Sequence, residues 1–443
     1  MAVTAIPPVR GGLPLLGNLM QFRNDRLALQ DLAAATGPIA RIQLAHLPVY
    51  IITDAEMAHE VLVDQAGAFT KSAGLQFLKP LLGEGLLTAE GEPHKKHRKL
   101  LAPAFAPKRL DAYGEVMVEE TVNQVERWTT GERIDLSHEM MQMTLAIAGR
   151  TMFGADVRRD APIVSRGLDL GMESHEESLQ SPIRLGPEWP LPRHLKMRRA
   201  VKMLDSVVYR LIAEGRARGT DKGDVLSILL LARDDEDGTG LSDRQVRDEV
   251  MTLLLAGHET TANALTWTWY ELARNPAVLA TLQAEIDKLG KRRITIADLT
   301  ALPYNLAVVE EAMRMHPPAY MTGRECARDL ELGGHHFAKS TIVAVNIRGI
   351  HRRADYYPDP DSFRPERFFA EVKKQRPRER YLPFGAGPRV CIGAHFALLE
   401  AQLALATLVQ HASMKLVTSA TVSYDPQVTL RPKGGMPMIV TKR

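Results

Sequence analysis

Cysteine is nearly missing from this chain: 443 residues hold only Cys326 and Cys391, 65 positions apart. So distant a pair builds no disulfide framework and no Cys-x-x-Cys zinc clamp, and it fits a reducing compartment. Net charge is also scarce, at +3, so bulk attraction to nucleic acid is not indicated. Long apolar runs are absent as well. The most apolar stretches, 250–257 and 401–409, fall far below the ~20 residues that cross a bilayer. Residues 1–18 contain Pro7 and Pro8 and no apolar run, so neither a signal peptide nor a membrane anchor is expected. Together these absences predict a cytoplasmic protein.

What is present suits a globular chain. Hydrophobic residues make up 45%, and the length calls for two domains or one large α-rich one. Residues 7–14 form a proline-ordered lead-in. Segments 39–44 and 49–52 read as strands around a turn at 45–48, and Asp54 caps a helix through 63. The irregular stretch 68–91 is long for a compact chain, and such loops are often functional. Helical patterns fill 93–219, broken at 181–192 by Pro182, Pro187, Pro190 and Pro192. The acidic run 234–237 reads as a solvated turn. Ser242 with Gln245 is a capping-box start, and the helix it opens runs about 45 Å to residue 273, before Asn275-Pro276. Beyond Pro317 the chain turns to short strands, ending in an expected hairpin around 433–435.

Cys391 lies in Phe384-Gly385-Ala386-Gly387-Pro388-Arg389-Val390-Cys391-Ile392-Gly393, which runs into an apolar helix pattern from 394 to about 410. Glycines let a loop pass close to a large flat partner. A helix N-terminus and a neighbouring Arg favour the thiolate of a cysteine placed there. One rigid thiolate suits a soft metal with a single anionic axial ligand, and haem iron is such a metal. Taken alone, the loop also admits a buried structural cysteine or, with His395 one turn on, a cysteine nucleophile.

The long helix contains Ala256-Gly257-His258-Glu259-Thr260-Thr261. A helix-interior glycine costs about 1 kcal/mol relative to Ala, which a flat ligand pressed on Ala256 and Gly257 would offset. Thr260 can turn its hydroxyl back to the carbonyl of residue 256, and an acid followed by an alcohol, Glu259 then Thr260, can deliver protons to oxygen at a haem. His258 reads as a packing or solvent-facing residue. Glu311 and Arg314 share a helical face, and Arg367 in the 361–368 segment offers the carboxylate a second guanidinium. His94 and Arg98, four apart, can clamp haem propionates. Lys95, Lys96 and Lys99 form one basic face, and Lys374, Arg376, Arg378 and Arg380 a second.

The pattern Phe-x-x-Gly-x-Arg-x-Cys-x-Gly resembles the cysteine-ligand signature of the cytochrome P450 family at every fixed position. Ala-Gly-x-Glu-Thr resembles its oxygen-activation motif, with Glu259 and Thr260 as the acid–alcohol pair. Glu-x-x-Arg followed by Pro-Glu-Arg-Phe resembles its structural triad, here Glu311, Arg314 and Arg367, which holds the cysteine loop. The resemblance implies a cytochrome P450-like fold, mainly α with a small β part, as a single domain over 1–443. Its β-rich part is expected in 39–52, 320–347 and 415–441.

The resemblance further implies haem b between the long helix 242–273 and the Cys391 loop. Cys391 would ligate the iron, Ala256, Gly257, Phe384 and Gly393 would lie against the cofactor, and His94, Arg98, Arg324 and Arg389 would meet its propionates. The implied activity is that of a monooxygenase inserting one oxygen atom of O2 into an apolar substrate such as a fatty acid, terpenoid, steroid-like compound or polyketide. Pocket walls are expected from 75–82, 181–192, Ala256, 318–322 and 434–436. Lys71 and Lys79 could anchor a carboxylate but read as surface lysines. With no reductase extension and no cysteine cluster, electrons must come from a separate ferredoxin or flavodoxin with its reductase, docking near Lys95, Lys96 and Lys99. A monomer without nucleic-acid or membrane partners is expected. Two other readings stand beside this one: a peroxide-driven peroxygenase, a type that generally lacks the acid–alcohol pair, and a non-catalytic haem sensor or carrier.

Overall fold

The computed structural model describes residues 5–181, 185–186, 188–233, 238–417 and 421–443. Pro182, Pro187 and the acidic run 234–237 lie outside the described residues.

Ser242 starts the long helix as its side chain predicts. It accepts the Gln245 N–H while the Gln245 side chain reaches back to the Ser242 backbone, and the helix spans Asp243–Arg274. Every residue from Val246 to Leu272 is buried except Ala256, Gly257 and Thr260. A helix covered on all sides is the core of a large fold. Helices Leu136–Met152, Pro192–Arg218, Pro303–Met315 and Ala394–His411 pack around it. Its first buried turns carry charge. Arg247 Nε donates to Asp205 Oδ1 at 2.7 Å, tying it to helix Pro192–Arg218.

The irregular stretch 68–91 is fastened to those same turns. Asp248 Oδ2 accepts the Glu84 N–H at 2.9 Å, and Glu249 Oε2 accepts the Leu86 N–H at 3.1 Å. Gly83 has φ +67°, and a Cβ there would stand 2.1 Å from the Asp248 carboxylate, so this approach requires glycine. Two short helices, Ala73–Gln76 and Lys79–Leu82, occupy the stretch.

The strands are β1 Ile39–Leu44, β2 Leu47–Ile52, β3 Phe69–Lys71, β4 Arg133–Asp135, β5 Thr322–Cys326, β6 Leu330–Leu332, β7 His335–Phe337, β8 Ile342–Val345, β9 Ala412–Leu416, β10 Tyr424–Pro426, β11 Leu430–Pro432 and β12 Pro437–Lys442. The main sheet has the order β1-β2-β8-β5-β3, with β2 and β8 parallel. It packs beside the helical core and carries Lys71 and Arg324 on paired strands.

Three local expectations are corrected. The β1–β2 turn is tighter than expected: Leu44 pairs with Leu47, and Ala45 takes φ +53°. Asp54 caps only Ala55–His59, after which Glu60–Asp64 widens into a π turn. No hairpin forms around 433–435. β11 pairs with β10, whereas β12 pairs with β4 and β9, so the glycines carry the chain from one sheet to another. The short partner β4 has no apolar alternation to announce it.

Candidate active site

The loop before helix Ala394–His411 is held at both ends. The Cys391 N–H donates to the Phe384 carbonyl at 3.0 Å, and Arg98 Nη1 donates to the Val390 carbonyl at 2.8 Å. Gly387, at φ +70°, passes so near the π turn that a Cβ would sit 1.9 Å from the Leu62 carbonyl oxygen. Phe384 and Gly393 are half-buried beside Cys391, and an added Cβ on Gly393 would be 3.9 Å from its Sγ.

The Cys391 side chain keeps open surface, yet protein surrounds it deeply enough for burial to raise its pKa. The Gly393 N–H and Arg98 oppose the burial without overcoming it. Burial thus works against the thiolate that the helix end favours; a coordinated metal deprotonates such a thiol outright.

Behind the loop stands the expected triad. Arg314 Nε and Nη2 donate to Glu311 Oε2 and Oε1 at 2.7 and 2.9 Å, and Arg367 Nε lies 3.4 Å from Oε1. The Glu311 and Arg314 side chains are fully buried. A link that sequence reasoning missed extends this group to the loop. Arg314 Nη1 donates to the His351 carbonyl, and the His351 ring accepts the Leu382 N–H.

On another side of the interior, cations gather. Lys71, His94, Arg98, Arg324 and Arg389 act on one another electrostatically, with Glu90 among them. Arg389 pairs with Glu90 and donates to the Ala89 carbonyl at 3.2 Å. Arg324 Nη1 donates to Thr322 Oγ1 at 2.9 Å. Burial and the neighbouring cations press His94 down to about 4, so it is a neutral imidazole. Lys71 is a correction. It is buried, with Nζ on the Leu86 and Ala89 carbonyls at 3.0 and 2.8 Å, and burial followed by Arg389 lowers its pKa to about 7. Only its place on β3, opposite Arg324, could have signalled this. Lys79 is the surface lysine expected, paired with Glu84 at 2.7 Å.

Ala256, Gly257 and Thr260 form the one open patch on the buried part of the long helix. The Thr260 hydroxyl donates to the Ala256 carbonyl at 2.8 Å, as read from sequence. Gly257 has a second reason for lacking a side chain: a Cβ would meet Met152 Sδ and Cε at 2.9 Å, so the glycine also serves packing against helix Leu136–Met152. Glu259 turns away from the patch. Its Oε1 accepts from Arg431 Nε at 2.8 Å and from the Thr429 hydroxyl. Burial would raise its pKa, but Arg431 holds it below the usual carboxylate range. The acid and the alcohol are thus adjacent in sequence but differently partnered. His258 packs inside, with Nδ1 on the Leu254 carbonyl at 2.5 Å.

A cavity of ≈870 Å³ opens between Gln76–Pro80 and helix Pro192–Arg218, with Leu185 and Gly186 on its wall. It combines two of the expected wall segments. Ala256, 318–322 and 434–436 do not line it.

Among known proteins, the sequence model of the family described as Cytochrome P450 matches residues 7–438. The chain belongs to the cytochrome P450 family. Cyclooctatin synthase of Streptomyces melanosporofaciens is 37% identical, over 95% of this chain and 92% of that relative. Cyclooctat-9-en-7-ol 5-monooxygenase of the same organism is 33% identical, over 100% and 98%. Pentalenene oxygenase of Streptomyces avermitilis is 31% identical, over 95% and 96%.

The chain is a cytochrome P450 monooxygenase that uses haem, and the site fits that group. A cluster of buried and part-buried cations that outnumbers its acids, Glu90 and Glu249, suits two propionates, a glycine-lined loop presents one sulfur, and a side-chain-poor helix patch can accept a flat ring. Among the described residues no helix is long and apolar enough to cross a membrane.

Proposed function

We propose that this cytochrome P450 oxidises a cyclic terpenoid, with electrons from a separate protein donor. The carrying observation is full-length similarity to three relatives that oxidise terpenoids. The site chemistry supports it. The open helix patch offers Ala256, Gly257 and the Thr260 methyl, while the Glu259 charge is drawn away by Arg431. Lys71 is not available to anchor a fatty acid, since it is committed to the Leu86 and Ala89 carbonyls.

In this reading Cys391 would supply the sulfur ligand, and Arg98, Arg324, Arg389 and neutral His94 would hold the propionates, with Lys71 beside them. Bound haem supplies the oxygen-activating chemistry. The residues of the chain orient, exclude water and move protons: Thr260 hydrogen-bonds beside the reacting centre, and Glu311, Arg314 and Arg367 hold the loop. The acid–alcohol motif favours a donor-dependent monooxygenase over a peroxygenase or a haem carrier.

Lys95 and Lys99 are exposed on helix Gly91–Leu101, with Lys96 half-buried between them, and this face suits an acidic donor. The second basic stretch suits it less, because Arg376 stacks on Phe368 at 4.2 Å and Arg380 on Tyr356 at 4.5 Å.

The test is a haem absorption titration with cyclic terpenoid hydrocarbons and alcohols against medium-chain fatty acids, followed by turnover with a ferredoxin and its reductase or with peroxide alone. Terpenoid-only shifts and donor-dependent product are expected. Shifts with fatty acids alone, or equal product with peroxide, would overturn the proposal.

A further inference from the structure

A second cavity, of ≈280 Å³, opens at the end of helix Ala394–His411 farthest from Cys391, and Thr407 lines it. At about 1.5 Å per residue, Thr407 stands about 20 Å from Ala394, so the cavity is separate from the site at the cysteine loop. Helix Pro107–Glu126 contributes Val118 and Val122 to its wall, and the segment after Gly290 contributes Lys291, Arg293 and Ile294. Gln410 Nε2 donates to the Gly290 and Arg292 carbonyls at 2.8 and 3.0 Å, which pins the turn carrying Lys291.

Charge in this cavity is unbalanced. Lys291 is exposed and forms no ion pair among the described residues. Arg293 Nη2 donates to the Glu115 carbonyl at 3.1 Å, a neutral acceptor. The acid in the lining, Glu119, is held by Arg150 at 2.9 and 3.1 Å, and that pairing lowers its pKa, with Arg293 adding to the effect. Burial lowers the pKa of His411, so the ring adds no charge at neutral pH. Thr407 is 1% exposed, and its hydroxyl has no hydrogen-bond partner. A buried hydroxyl left unpaired is costly, and an oxyanion would supply the acceptor. Two cations whose lining acid is already taken by Arg150 match a phosphate monoester, with about −1.5 to −2 charges at neutral pH, better than a carboxylate with one.

We propose that this cavity binds a small phosphate monoester, with the phosphate between Lys291 and Arg293 and the organic group against Val118, Val122 and Ile294. The volume, near the lower end for ligand pockets, limits that group to a short chain or a single ring. The ligand joins helix Pro107–Glu126 to the end of helix Ala394–His411 and stabilises the fold by mass action.

The experiment titrates the haem-loaded protein by calorimetry, at fixed ionic strength, with phenyl phosphate, inorganic phosphate and benzoate. Phenyl phosphate is expected to bind at one saturable site, tighter than the other two, to raise the thermal midpoint and to leave the haem absorption unchanged. Lys291→Ala and Arg293→Ala should each weaken it on the order of tenfold, the scale of one charge-assisted hydrogen bond. Thr407→Val should weaken it about threefold, the scale of a neutral one. Lys339→Ala, which removes an exposed cation between β7 and β8, should change nothing. Benzoate binding as tightly as phenyl phosphate would overturn the phosphate class, and equal affinity for inorganic phosphate would overturn the ester. No saturable binding, equal weakening in Lys339→Ala, or a haem absorption shift that places the ligand at the haem would overturn the site itself.

Discussion

The imidazole Nε2 of His351 accepts the backbone N–H of Leu382 at 2.8 Å, and this bond joins the buried Glu311–Arg314 pair to the start of the cysteine loop. Burial, then Arg314, presses the His351 pKa down to about 3, so the ring is neutral and its Nε2 is free to accept. His351→Leu leaves the Leu382 N–H buried and unpaired, at about 1–3 kcal/mol. The expected outcome is a lower unfolding temperature and less haem retained per chain on gel filtration. An unchanged haem-to-protein ratio would mean that the loop is held by its glycines and Arg98 alone.

Buried neutral histidines also set an acid limit on stability. Burial carries His175 to about 4, with Arg26 adding to it, and His351 to about 3, both from 6.5. Above pH 6.5 folded and unfolded chains are both neutral at these sites, so they add no pH dependence. Below it the unfolded chain takes up protons that the folded chain refuses, and stability falls as pH drops towards about 4. Thermal midpoints should therefore decline steadily from pH 7 to pH 5, and His175→Phe should shrink the decline. A flat profile in wild type would show that both rings are hydrated.

Arg431 belongs to β11, 172 residues from the Glu259 it neutralises. Arg431→Met leaves a buried carboxylate without its cation, and breaking such a pair costs about 3–5 kcal/mol. Chemical denaturation should register that loss. The double variant Arg431→Met/Glu259→Gln should recover much of it, because the charge that needed a partner is then gone. Equal destabilisation in single and double variants would assign the loss to packing of the arginine stem.

These residues mark what could be read from the chain alone. Ser242 with Gln245, the glycines around Cys391, and Glu311 with Arg314 act over a few positions, so spacing and side-chain chemistry expose them. The Thr260 hydroxyl reaching Ala256 is equally local. Arg431, His351 and Lys71 find their partners across sheets and loops, and nothing in their neighbours announces this. The supposed hairpin at 433–435 misled for the same reason, since two glycines declare a turn but not which strands it joins. Glu400 did leave a signal. It is the only Asp, Glu, Lys or Arg between Ala394 and His411, a lone charge in an apolar helix. That the charge lies fully buried, with this helix packed on the long one, is known only from the fold.

The assignment of Cys391 as the sulfur at the haem is tested most directly by the absorption spectrum of the reduced carbon monoxide complex, recorded for wild type and for Cys391→Ala. Wild type is expected to give the thiolate-type band, and the variant to lose it even where haem is still retained. A thiolate-type band that survives in Cys391→Ala would contradict the site described above.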